Sequence, residues 1–291
     1  MKTDIDEIKK AVAALKVARP AYEGLLDFYE KLCLAQEASK EDIELDPIEI
    51  SEDLLSVKRK ERFPLINTTD FAIDVKASEA LLEKFCRLAS DSNKVLAQNA
   101  SKITEALATG SLKASALFSK ILAGDDAYLD EIAGRLDIDK KILAFAAYSS
   151  IRPSLCLCAE KLSAYLDKES IWGKGYCPIC GSQPSLSILR GEGGKRSFVC
   201  SFCANEWETI RIYCPFCENK DQKSLNYFFS EEEKDCRVDV CDKCKKYIKT
   251  IDVRKLQRPM YPVVEQIATL HLDMMAREQG LESGISLWLP I

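Results

Sequence analysis

The sequence predicts an α+β protein. An N-terminal all-α helical bundle (residues 1–170) is followed by two tandem four-cysteine modules of the rubredoxin-like or zinc-ribbon kind, at 171–211 and 212–291, the second carrying a C-terminal helix. Three observations predict this. Apolar residues recur at helical spacing through the first half. The texture changes at Trp172-Gly173-Lys174-Gly175, after which strand and turn patterns take over. Four Cys-x-x-Cys pairs fall in that second part: Cys177/Cys180, Cys200/Cys203, Cys214/Cys217 and Cys241/Cys244.

In the helical half, Ile5, Ile8, Val12 and Leu15 share one face, and Leu25, Phe28, Leu32 and Ala35 another. An acidic, less regular stretch from Glu41 to Asp53 contains Pro47, and Lys58–Lys60 with Phe63-Pro64 reads as a loop or crossing. Helices resume near Ser78, with Leu81, Phe85 and Leu88 on one face. Thr109-Gly110-Ser111 and Gly124-Asp125-Asp126 read as helix ends with a glycine stop followed by an N-cap. These stops predict short helices, and no active site is readable among them. Cys33, Cys86, Cys156 and Cys158 are expected to fill the core, as free cysteines commonly do; extra metal ligation by Cys156 and Cys158 is the alternative.

In the cysteine region, Leu186, Ile188, Phe198 and Val199 flank the turn Gly191-Glu192-Gly193-Gly194. Further strands are expected at Trp207–Tyr213, at Leu225–Phe229 and at Tyr247–Val253. A final helix carries an apolar stripe of Val263, Ile267, Leu270 and Met274 and a polar stripe of Gln266, Thr269, Asp273 and Arg277. Gly280 ends it. The tail, with Trp288 and Pro290, is expected to pack back or to bind a partner.

A Cys-x-x-Cys turn aims two thiolates at one point, and two such turns supply the four sulfurs of a tetrahedral site. Nineteen residues separate Cys180 from Cys200 and twenty-three separate Cys217 from Cys241, both enough for a β-hairpin; only ten separate Cys203 from Cys214, which suits a linker. The expected sites are therefore Cys177, Cys180, Cys200 and Cys203, then Cys214, Cys217, Cys241 and Cys244. Pro178 stiffens the first turn and Gly181 permits a positive φ beside the sulfurs. Glu218 stands where the first knuckle has glycine, and Lys245 follows the fourth, which predicts a looser, more exposed second site. Sulfur ligation suits iron and zinc alike. Metal binding would then supply much of the folding free energy of such small modules, roughly 10 kcal/mol or more per site. A redox dithiol needs one such motif rather than four. Structural disulfides need an oxidising compartment, and thirteen cysteines is an odd number. The start MKTDIDEIKK has no apolar run behind its first lysine, so a cytoplasmic chain is expected.

The net charge of −5 argues against a general nucleic-acid binder. Residues 171–255 hold fifteen Lys/Arg and twelve Asp/Glu, a formal +3 that two four-thiolate metal sites would bring to about −1. Lys243, Lys245, Lys246 and Lys249 cluster, and read as a solvated surface. No apolar stretch approaches a membrane span, the richest being Ile142–Ile151. One histidine excludes a His-rich hydrolase site; that residue, His271, reads as packed or partner-facing rather than catalytic. Asp273 is expected to pair with Arg277 at i+4. Trp207 reads as a cap on the small core and Arg211 as a partner of Glu206 or Glu208. Cys236 reads as a free thiol on a strand. Glu206, Trp207, Arg211, His271 and Asp273 are the candidate partner-binding residues. Exposed strand edges could pair two copies into a homodimer.

The run Cys177-Pro-Ile-Cys-Gly-Ser-Gln-Pro184, then Cys200-Ser-Phe-Cys-Ala-Asn-Glu-Trp207, Arg211-Ile-Tyr-Cys-Pro-Phe-Cys217 and Cys241-Asp-Lys-Cys-Lys-Lys-Tyr-Ile-Lys249 resembles the formate dehydrogenase accessory protein FdhE family. Leu272-Asp273, Ala276, Glu278 and Gly280 match its closing segment, so the resemblance covers about 171–285. It implies a cytoplasmic, non-enzymatic maturation chaperone that binds the catalytic subunit of a molybdenum- or tungsten-containing formate dehydrogenase and is required for active enzyme. It also implies rubredoxin-like iron sites on the eight paired cysteines. Two other readings stay open: a rubredoxin-like iron electron carrier acting in cofactor insertion, and a zinc-ribbon nucleic-acid-binding regulator.

Overall fold

The computed structural model describes residues 5–167, 170–231 and 233–285. Among these residues, eight α-helices precede the first knuckle: α1 (Ile5–Ala18), α2 (Glu23–Ser39), α3 (Glu52–Glu61), α4 (Val75–Ser90), α5 (Lys94–Ala108), α6 (Ala114–Ala123), α7 (Asp126–Leu136) and α8 (Lys140–Leu162). Caps mark their ends. Asp74, Asn93, Asp125 and Asp139 each accept a hydrogen bond from a first-turn amide, and Gly124 closes α6 at a φ of 64°. Ser111 is not an N-cap; its hydroxyl turns back to donate to the Ala106 carbonyl, and Lys113 opens α6. The basic run Lys58–Lys60 lies inside α3 rather than in a loop, because Ser51 caps this helix and its last turn favours cations.

Helix α8 is the axis of the bundle. It is long and apolar enough by length and composition to cross a membrane, yet 78% of its most apolar window is buried inside the protein. The apolar run therefore extends beyond Ile151, because the helix carries on through Arg152 and Pro153. Phe28 of α2, Phe85 of α4 and Phe145 of α8 meet in edge and tilted contacts at the centre. Ile8, Val12 and Leu15 are buried, whereas Ile5, on the first turn, is exposed. Cys33, Cys86 and Cys158 fill the core and Cys156 sits at its margin.

Seven strands follow among the described residues: β1 (Pro184–Arg190), β2 (Lys195–Cys200), β3 (Glu206–Thr209), β4 (Leu225–Phe228), β5 (Cys236–Cys241), β6 (Lys246–Asp252) and β7 (Glu282–Ser283), with α9 (Pro262–Ala268) and α10 (Leu270–Glu278) between the last two. Each pair of knuckles encloses one antiparallel hairpin, β1–β2 and β4–β5. The hairpins are not separate. Parallel pairing of β1 with β6, Ser187 opposite Thr250, joins them in one sheet of order β3-β2-β1-β6-β5-β4, and β7 pairs with β6 to the side. The expected strand through Ile210 and Ile212 stops at Thr209, and both isoleucines are exposed.

One face of the sheet continues the helical core: Cys177, Ile179, Phe198, Phe202 and Trp207 belong to the same apolar cluster as α2, α4 and α8. A second cluster joins β1, β5 and β6 to α10. The last helical segment is broken at Thr269, which ends α9 and precedes α10. Its polar stripe points inward. Gln266, Thr269 and Asp273 are buried and Met274 is exposed, against the expected facing, while Ile267 is buried and Arg277 exposed as expected. The reason is Lys249, whose ammonium is buried and donates to the Gln266 carbonyl at 2.8 Å and to Asp273 at 2.6 Å. Burial lowers the pKa of Lys249 and Asp273 opposes that shift. Lys249 is thus not part of the solvated lysine cluster, and Asp273 pairs with Lys249 rather than with Arg277. Trp288 and Pro290 lie outside the described residues.

Candidate metal centres

Each knuckle is a turn closed by backbone. Gly181 N–H donates to the Cys177 carbonyl, Glu218 N–H to that of Cys214 and Lys245 N–H to that of Cys241. The residue after the second cysteine takes a positive φ in all four: Gly181 at 75°, Ala204 at 59°, Glu218 at 59° and Lys245 at 58°. Only the first is glycine, the residue that holds such a φ without a Cβ penalty. The turn therefore imposes its geometry on the other three.

The fold brings the eight sulfurs into the two groups of four that the spacing predicts, each within 4.8 Å of its fellows. In the first, Cys180 lies 3.4 Å from Cys200 and 3.7 Å from Cys203, and Cys177 is 3.7 Å from Cys203. In the second, Cys214–Cys244 is 3.7 Å and Cys217–Cys241 is 3.6 Å. A disulfide needs about 2.05 Å. Four sulfurs each about 2.3 Å from one ion stand about 3.8 Å apart in a tetrahedron. The donor set and spacing fit a thiolate-bound metal, and either group could hold an ion.

Two asparagines absent from the sequence-level reading complete the sites. Asn205, five residues after Cys200, directs its amide at Cys177 Sγ, and Asn219, five residues after Cys214, directs its amide at Cys241 Sγ. The equal offset from a knuckle was the available signal. Such donors spread the charge of a thiolate site and orient it.

The sites differ in their surroundings. All four cysteines of the first are buried. The helical half holds both its knuckles: Leu65 and Ile66 amides donate to the Pro178 and Ile179 carbonyls, and the Tyr148 hydroxyl donates to those of Ser201 and Phe202. The second site reaches the surface at Cys217 and Cys244. The knuckles of the two sites touch at Gly175, where an added Cβ would fall 1.8 Å from the Pro215 carbonyl oxygen. Gly175→Ala is expected to cost about 3 kcal/mol through this overlap, read as a lowered melting temperature.

The candidate partner residues scatter. Trp207 is buried, edge-on to Phe198, with its indole N–H toward the Lys174 carbonyl. Glu206 pairs with Arg190 and Glu208 with Lys195. Arg211 donates to the Gly193 carbonyl instead of to either glutamate, because Arg190 and Lys195 on the neighbouring hairpin reach them first. Asp273 is interior. His271 stacks on Tyr22 and its Nε2 lies 2.9 Å from Glu233.

Glu233 also accepts from Arg19 at 2.8 Å and from the Cys236 thiol, tying α1's end to the second hairpin. Burial opposes its charge, but the close approach of His271 and the Arg19 hydrogen bond hold its pKa down to about 2. Burial, with the Glu233 charge beside it, pushes the Cys236 thiol well up, so it stays protonated at neutral pH. A carboxylate held below its unfolded value stabilises the fold above about pH 4.5 and loses that contribution as pH falls toward 2. Glu233→Gln is expected to melt lower than wild type at pH 7, with the gap closing between pH 4.5 and 2.

Family models for the FdhE central domain match residues 176–211, and those for the FdhE C-terminal domain match 212–289. These spans contain all four knuckles. The cysteine-rich part of this chain, residues 176–289, thus matches the FdhE family. The chain is 38% identical over 146 residues to an FdhE homolog of Aquifex aeolicus, covering 49% of this chain and 50% of that protein. It is 33% identical over 118 residues to one of Shewanella oneidensis, covering 40% and 38%. The chain thus spans between about a third and just over half of the length of the curated relatives it matches. The crystal structure of the FdhE protein from Pseudomonas aeruginosa superposes with a TM-score of 0.69 at 20% identity, over 100% of this chain and 98% of that one. That likeness carries the fold through the helical half, where the family models do not reach.

Proposed function

We propose that this chain is an accessory factor for a formate dehydrogenase containing molybdenum or tungsten: a cytoplasmic binding protein, not an enzyme, that engages the catalytic subunit and is required for its assembly into active enzyme. The observation that supports this most is the placement of the FdhE family match over all four knuckles. In this reading Cys177, Cys180, Cys200 and Cys203 hold one iron or zinc ion, and Cys214, Cys217, Cys241 and Cys244 a second. Each ion would cross-link its four thiolates, whose charge would leave the site compact and net negative. The chain's own residues do the rest: Asn205 and Asn219 steady the sulfurs, and Leu65, Ile66 and Tyr148 fix the first site against the bundle.

The exposed margin of the second site at Cys217 favours a second reading, a rubredoxin-like iron electron carrier, because an exposed ligand edge is where electrons enter and leave such a site. Tagged full-length protein, purified without oxygen from its host and analysed by mass spectrometry, separates the two. A formate dehydrogenase catalytic subunit at high yield supports the accessory role. Its absence from cells making that enzyme, with a reversible visible absorption that bleaches on reduction, overturns it in favour of the carrier.

A further inference from the structure

Between the bundle and the sheet lies a cavity of about 70 Å³, lined by α2, α8, α9 and the second knuckle. Arg152 of α8 lines it. Its guanidinium makes no hydrogen bond or ion pair among the described residues. No aspartate or glutamate lines the cavity. The carboxylate of Glu37, one turn from Cys33 on α2, is already engaged by Lys40 at 2.7 Å and by the Tyr261 hydroxyl at 3.2 Å.

Cys156, one turn along α8, and Cys200 of the first site are the thiols whose charge could face the guanidinium. Burial pushes Cys33 up to about 12 although the Arg152 charge works the other way. Burial likewise raises Tyr29 and Tyr148, so all three are neutral at pH 7. Arg152 is half-buried, and no carboxylate stands beside its guanidinium in the cavity wall. The wall offers further donors: the hydroxyls of Tyr29 and Ser149 face no partner among the described residues. The remaining wall is apolar, with Leu32, Phe145 and Val263.

We infer that this cavity binds a small carboxylate anion, its two oxygens held by the Arg152 fork and its short apolar end against Leu32, Phe145 and Val263. A planar fork matches a carboxylate in bidentate geometry. Phosphate and sulfate would leave oxygens facing apolar wall, which disfavours them. The space, on the order of a few water molecules, admits one to a few carbon atoms and no nucleotide. The site is separate from the eight knuckle sulfurs, although Cys200 forms part of its wall.

The test is titration calorimetry on the full-length, metal-loaded protein with sodium formate, acetate and butyrate, against sodium phosphate and chloride at constant ionic strength. One carboxylate is expected to bind one per chain with a Kd of about 1 mM, since so few atoms can supply only about 4 kcal/mol. Arg152→Gln is expected to weaken it at least about tenfold with metal content unchanged. Tyr29→Phe, which removes a single hydroxyl and keeps the packing, is expected to weaken it about threefold, and serves where Arg152→Gln fails to fold. Absence of saturable carboxylate binding overturns the inference, as does binding of phosphate alone. Unchanged binding in both variants overturns it too, by placing the anion elsewhere. Loss of a metal ion from Arg152→Gln, without carboxylate binding in wild type, shows instead that the guanidinium compensates the four-thiolate charge. None of these outcomes depends on formate dehydrogenase, so a failed capture of that enzyme and a failed titration remain distinguishable.

Discussion

Cys177→Ser is expected to release the first site's metal and to melt the joint between bundle and sheet, while Cys217→Ser costs far less. A structural thiolate site contributes roughly 10 kcal/mol or more to folding where no alternative core exists. Here the first site is embedded in the main apolar cluster, with Ile179, Phe198 and Phe202 around it. Losing it leaves buried thiols and the knuckle turns that Leu65, Ile66 and Tyr148 hold. The second site is partly open, so water can solvate what its metal leaves behind. Metal content by mass spectrometry and hydrogen exchange at Leu65 and Ile66 check this: Cys177→Ser should lose one ion and the protection of those amides, and Cys217→Ser one ion with protection kept. Equal loss of protection in both variants would contradict the asymmetry.

Asp273→Ala is expected to destabilise the protein by about 3–5 kcal/mol, the cost of leaving a buried charge unpaired. Both partners are nearly inaccessible, with 4% and 7% of their side chains exposed. The Tyr247 hydroxyl, donating to the same carboxylate at 2.8 Å, loses its acceptor as well. Because burial already holds Lys249 below its ordinary value, the folded chain gives up that proton more readily than the unfolded one. Stability therefore rises with pH through the window below about 10.5, and the variant should recover part of its loss there. Denaturant unfolding at pH 7 and pH 9 measures both effects. Replacing the pair together, Lys249→Met with Asp273→Leu, should be close to neutral.

The two four-cysteine groups were legible because ligation needs two sulfurs at a fixed short spacing, and that spacing survives as a string. Hairpins between knuckles were legible for the same reason: the gap lengths leave room for little else. What could not be read is decided at long range. Lys249 stands beside Lys245 and Lys246, and nothing local distinguishes the buried lysine from its exposed neighbours. Its partner lies twenty-four positions on, on a helix whose polar stripe looks like a solvent face. The parallel pairing of β1 with β6 has no turn to announce it, since its strands are separated by a whole hairpin and a metal site. Arg190 and Lys195, which take the glutamates from Arg211, do so across a sheet register rather than along the chain. Helix α8 misled in the other direction: its richest apolar run read as ending at Ile151, but packing carries the helix on through Arg152 and Pro153.

That same β1–β6 pairing sets an order for synthesis. When the first four cysteines have left the ribosome, β1 has β2 beside it but its other edge has no neighbour until residue 252 has emerged. A growing chain can thus load its first metal while half its sheet is still unmade, and for that interval it carries an open strand edge next to a bare apolar face. Asp242, Lys243 and Lys245 emerge just ahead of β6, the strand that closes that edge.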